Sequence, residues 1–140
     1  MRKFLILMTL LTMPVEAQAR HHHRNHRGTT YDAGTVVSHP PGCPWHSFCG
    51  CGVSVEIFGH PIRGLFLAAN WFRFPRANPA PGMVAVRHGH VMAIRAVDGN
   101  GNATVYDPNS GHHLTRIHQR SLAGYTIVDP NGNRALARKD

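Results

Sequence analysis

A thiol, an imidazole and an oxygen acceptor lie in that order along this chain. Cys49 stands in Phe48-Cys49-Gly50, His90 in Gly89-His90-Val91, and Asn109 two residues after Asp107. A thiolate is a strong nucleophile, and an imidazole takes and returns a proton near neutral pH. A neighbouring oxygen fixes which ring nitrogen carries that proton. The combination is a cysteine nucleophile with its general base, and the chemistry is attack on a carbonyl. The three residues are distant in sequence, so the elements that carry them must bring them together.

Residues 47–58 form the first candidate element. Val53 and Ile57 at i, i+4 suit a helix, with Ser47 as N-cap and Gly59 at the C′ position. The alternation of Val53, Val55 and Ile57 suits a strand equally well. In the helical reading Cys49 lies in the first turn, where unpaired N–H groups favour a thiolate and can hold an oxyanion. Residues 65–72 repeat Leu65, Ala68, Ala69 and Phe72 at helical spacing, predicting a second helix. A Pro- and Asn-containing loop over 73–82 follows. Strands are then predicted over 83–86, 91–97, 103–106, 114–117 and 125–128, with a hairpin turn at Asp98-Gly99-Asn100-Gly101. Helices first and antiparallel strands after predict an α+β domain over residues 43–128, with the helices packed on one face of a small antiparallel sheet.

The hairpin sets the partner of His90. If Val97 faces Asn102, His90 faces Asn109; a slip to an Asn100-Gly101 turn sets His90 opposite Gly111. Side chains alternate with period 2, so Asp107 and Asn109 share the face of His90 in both registers. Asn109 is the preferred orienting residue and Asp107 the alternative. His88, two residues from His90, competes for the role of base.

The ends of the chain have a different composition. Arg2 and Lys3, the apolar run over 4–13 and Ala17-Gln18-Ala19 read as a secretory signal peptide over 1–19, too short in its apolar part to span a membrane. This predicts a periplasmic or secreted protein without a transmembrane segment; an uncleaved interfacial anchor is the alternative. Residues 20–42 are expected to be a disordered His- and Arg-rich linker, and 129–140 a polar tail. The cluster His21-His22-His23-Arg24-Asn25-His26 is read as a solvated basic tail, with Ni²⁺, Cu²⁺ or Zn²⁺ binding as the alternative. Fifteen Lys and Arg against seven Asp and Glu leave a formal charge of +8, which points to an anionic envelope polymer as partner. The basic residues are spread along the chain rather than focused on one element, which argues against nucleic acid.

Three cysteines leave one thiol free or used between chains in an oxidising compartment. A Cys43–Cys51 pair would free Cys49, but spacing alone does not select that pairing. Cys43, His46, Cys49 and Cys51 also hold metal-type donors, crowded into nine residues without the second ligand pair of a structural zinc site. A disulfide is the preferred reading there, and no cofactor is expected.

Phe48-Cys49-Gly50, Asn70-Trp71, Pro79-Ala80-Pro81-Gly82, Gly89-His90-Val91 and Ser121-Leu122-Ala123-Gly124 together resemble the CHAP-type and NlpC-type cysteine amidohydrolases, in particular their small exported rhizobial-type members. The resemblance spans roughly residues 43–128 and selects the helix for 47–58. It implies a papain-like fold and cleavage of amide bonds in peptidoglycan stem peptides, with Cys49 as nucleophile, His90 as general base and Asn109 as orienting residue. Met83 stands where the family commonly has an acidic residue. A papain-like module that binds cell wall or a partner without turnover, or an exported metal-binding protein, are the alternative functions.

Overall fold

The computed structural model describes residues 33–132. The expected signal peptide, the His21–His26 cluster and most of the polar tail lie outside them. The architecture is mixed α+β and dominated by one six-stranded antiparallel sheet. Its strands are β1 (Thr35–Val37), β2 (Val84–Arg87), β3 (His90–Val97), β4 (Asn102–Asp107), β5 (Thr115–Ser121) and β6 (Thr126–Val128), in the order β1-β5-β4-β3-β2-β6. One α-helix, α1 (Cys49–Phe58), packs mainly on β3 and reaches β4. Among the described residues no helix is long and apolar enough to cross a membrane.

The main core lies between α1 and the sheet. Val53 and Trp71 are fully buried there against Val86, Val91 and Ala93 of the sheet. A smaller apolar cluster, including Ala85, Met92, Ile94 and Val105, occupies the opposite face under Leu122. The alternation of Val91/Ala93 with Met92/Ile94 divides β3 between the two clusters, as a period of 2 requires.

Four expectations are corrected. The linker expected over 20–42 is drawn into the sheet at residues 35–37, where β1 covers the edge of β5 with Val37 opposite Thr115. An uncovered β5 would present unpaired backbone groups. The second helix expected over 65–72 is instead two 3₁₀ segments, Arg63–Leu65 and Ala68–Arg73. The Leu65 carbonyl, which an α-helix would give to a backbone N–H, accepts the indole N–H of Trp71 at 2.8 Å, and Asn70 Nδ2 donates to the Gly64 carbonyl at 2.8 Å. Ser47 does not cap α1: it takes φ +52°, and Phe48 is the capping residue, without a side-chain hydrogen bond. Finally, the strand expected over 114–117 runs on to Ser121.

The glycines of α1, poor helix formers, are explained by close approach rather than by helix propensity. A Cβ on Gly50 would run into the backbone carbonyls of Leu65 and Phe66. A Cβ on Gly52 would stand 2.5 Å from Pro108 Cβ and 2.8 Å from its Cγ. These two positions let the first turn of α1 sit directly against the Leu65–Phe66 backbone and against Pro108 at the end of β4. At the far end, Gly59 closes the helix in the left-handed conformation, and its N–H bonds the Val55 carbonyl at 2.9 Å. Gly52→Ala is therefore expected to destabilise the fold by about 1–3 kcal/mol, although alanine is the better helix former. Urea denaturation of the two proteins measures this; an unchanged or raised midpoint would contradict the packing argument.

Candidate active site

Cys49 is the first residue of α1 and the only free cysteine among the described residues; Cys43 and Cys51 form a disulfide. The cross-link ties the chain before α1 to its first turn and takes two donors away from the Cys-His cluster that a metal could have used. Closing a loop of this size stabilises by about 2–3 kcal/mol through the unfolded chain. Ser54 adds a second tie: its hydroxyl donates to the Cys51 carbonyl at 2.7 Å and accepts from Ile62 N–H at 3.1 Å.

His90 opens β3 after a two-residue turn, His88-Gly89, in which Gly89 supplies φ +79°. Its Nε2 lies 2.6 Å from Oδ1 of Asp107, the last residue of β4. The Cys49 side chain lies close enough to its ring to raise the proton affinity of the imidazole. Cys49, His90 and Asp107 thus form one chain of contacts: thiol, imidazole, carboxylate.

Asn109 does not take the place expected for it. It adopts φ +62° beyond Pro108, and its Oδ1 accepts from Nδ1 of His113 at 3.3 Å. β4 ends at Asp107, so the alternation that would have carried Asn109 back to the face of His90 stops there. His88 sits in the exposed turn with its ring against Phe72, while His90 takes the Asp107 carboxylate.

The second oxygen of Asp107 is held by a residue that the sequence reading missed. His118 Nε2 lies 2.8 Å from Oδ2. In the β4–β5 register His118 faces Val105, so it is the diagonal neighbour of Asp107 on the same face. Extending the expected strand past residue 117, so that His118 follows Arg116 on one face, was the signal that could have found it. On the other side His90 is the diagonal neighbour of Asp107 in the opposite direction along the strand. The pair Ala93 opposite Tyr106 continues to Met92 opposite Asp107, leaving His90 one pleat away.

This geometry depends on a bulge. Near the turn, Val97 faces Ala103 and Ala96 faces Thr104; beyond Arg95, Ile94 faces Val105. One extra residue on β3 shifts the register by one. Without it Asp107 would face Ala93 and stand on the opposite side of the sheet from His90. The bulged Arg95 is anchored to α1 through Glu56, at 2.8 Å, with its guanidinium over the Tyr106 ring.

Electrostatics follow from burial and contact. Burial by itself would lower the proton affinity of His90. The Asp107 bond, the Cys49 bond and the charges of both outweigh it, raising the imidazole from 6.5 to about 9. Asp107 is 1% exposed, and burial would push its carboxyl up. Hydrogen bonds from His90, His118 and Ser110, with the charge of His90, hold it below the usual carboxylate value instead. The signs give a window. His90 contributes its full stabilisation below about pH 6.5 and loses it as pH rises through about 9. The Asp107 contribution is intact above pH 3.8 and is lost as pH falls further. Asp107→Asn is expected to lower stability and to flatten its decline between about pH 6.5 and 9. Denaturant midpoints measured across that range check this; an unchanged pH slope would refute the pairing.

No family model, curated protein or solved structure matches this chain.

Proposed function

We propose that the protein is an exported cysteine hydrolase of papain-like design that cleaves amide bonds in peptidoglycan stem peptides. The observation that carries the reading is the Cys49 thiol at a helix N-terminus, beside an imidazole that the buried Asp107 holds. The orienting residue is Asp107, in the role the family resemblance implies for Asn109. The envelope substrate is supported by the signal-like N-terminus, the +8 charge and the resemblance of the Cys49, Asn70-Trp71 and His90 motifs to cell-wall amidohydrolases.

The reaction divides into two steps. Cys49 Sγ attacks the amide carbonyl carbon as the C–N bond breaks, and His90 hands its proton to the leaving nitrogen. The products are a free amine and a thioester on Cys49. Water then gives its oxygen to the thioester carbon and a proton to His90, releasing the acid and restoring the thiol. The first backbone N–H groups of α1 have no acceptor within the helix, so they are the donors for the transient oxyanion. A protonated His90 favours the thiolate, the nucleophilic form. Asp107 keeps the ring in the orientation that both proton transfers need.

The burial of Cys49, 6% exposed, favours one second reading: a module of the same fold that binds envelope polymer without turnover. Iodoacetamide labelling and peptidoglycan digestion separate the two. In the hydrolase, Cys49 alkylates near pH 6 about tenfold or more faster than in His90→Ala. His90→Ala also lowers the release of new amino groups from peptidoglycan by about 10²–10⁴-fold, and Cys49→Ala abolishes it. Equal alkylation rates, or a Cys49→Ala protein that retains its full effect on the polymer, would leave the binding module standing.

A further inference from the structure

A second polar site lies on the β5 side of Asp107. A groove of about 370 Å³ runs along β5 beside Ala33 and Gly34, lined by Arg116, His118 and Arg120. The three side chains fall at alternate positions of β5, so they share one face of the strand. Among the described residues the carboxylate paired with this face is Asp107, buried and already holding two imidazoles, with Arg120 Nε in a long ion pair to it at 3.9 Å. The other acidic residues among those described are engaged elsewhere. Glu56 pairs with Arg95, while Asp98 and Asp129 accept backbone N–H groups in their own turns. Arg116 directs one nitrogen to the carbonyls of Ser110 and Gly111, which fixes its guanidinium at the groove wall.

Two guanidiniums on one strand face, Arg116 held by backbone carbonyls and Arg120 in a long ion pair to a carboxylate already shared by two imidazoles, set in a recess with a buried histidine between them, match the chemistry of an oxyanion. A guanidinium fork pairs with phosphate or carboxylate oxygens through parallel charge-assisted bonds. We propose that this groove is a binding site for an oxyanion group, a phosphate or a terminal carboxylate, separate from the thiol centre and reporting to it through His118 and Asp107. The proposal stands whether or not Cys49 turns over substrate, since Cys49 does not line this groove.

The test is a titration of the histidine ring resonances of the full-length protein at constant pH and ionic strength. One arm uses inorganic phosphate and the other N-acetyl-D-alanyl-D-alanine, each to about 20 mM, far above the range of a useful site. The expected result is a saturable shift of the His118 resonance with at least one probe. Saturation by phosphate alone assigns the site to phosphate-bearing ligands, and by the peptide to terminal carboxylates. Arg120→Gln should weaken saturation by about fivefold or more, and Arg120→Lys, which keeps charge but not the fork, by less. Absence of a saturable His118 shift with both probes overturns the proposal without needing a variant. So does a shift that Arg120→Gln, shown folded by its thermal transition, leaves unchanged. Retained alkylation of Cys49 in a protein without the His118 shift would sink this site while leaving the hydrolase reading intact.

Discussion

The Asp107 carboxylate is the constraint on which the rest of the centre depends. A carboxylate 1% exposed to solvent is costly unless every oxygen finds a donor. Here one oxygen takes His90 from β3 and the other His118 from β5, so a single side chain joins three adjacent strands at one end of the sheet. The arrangement satisfies the buried charge and fixes the plane of the His90 ring. Removing either imidazole would leave a buried charge partly unpaired, which costs more than the lost hydrogen bond itself. The stability of the fold and the setting of the His90 ring are therefore coupled at this point.

The thiol reaches that imidazole because α1 can come close. Glycine at 50 and 52 removes the two Cβ atoms that would hold its first turn away from the Leu65–Phe66 backbone and from Pro108. The Cys43–Cys51 disulfide and the Ser54 hydroxyl then fasten the same turn from the other side. Helix propensity is sacrificed where proximity matters: the α1 residues that are poorest for a helix are those that place Cys49. The exposed Arg95–Glu56 pair, worth at most about 1 kcal/mol, acts at the distal part of the helix, where β3 bulges toward it.

Individual parts of this design are readable in the chain, and their relation is not. The order of thiol, imidazole and oxygen acceptor, the turn at 98–101 and the alternating strands around it are local features, written in residue type and period. The identity of the third residue is not local. It depends on whether β3 and β4 pair with an even or an odd offset, and the bulge at Arg95 has no turn residue or glycine to announce it. Asn109 looked equivalent to Asp107 by parity alone, but the strand ends at Asp107 and Pro108 leads the chain away. His118 was hidden because its strand reads as polar, Thr-Arg-Ile-His-Gln-Arg-Ser, with one strongly apolar residue to mark its period.

By itself, the sequence determined the mixed helix-and-strand character, the placement of Cys49 at the start of an element closed by Gly59, and the opening of a strand by His90. These follow from glycine stops, turns and periodicity acting over a few residues, with the family resemblance selecting helix over strand for 47–58. Tertiary structure alone decided which cysteines pair, that residues 35–37 cover the sheet edge, and that 65–72 winds as 3₁₀ segments around the Trp71 indole bond. It also decided that a buried carboxylate shared by two histidines holds His90. Each of these depends on groups brought together from distant positions, where burial makes an unpaired polar atom too costly to leave and so selects one partner among several that composition allows.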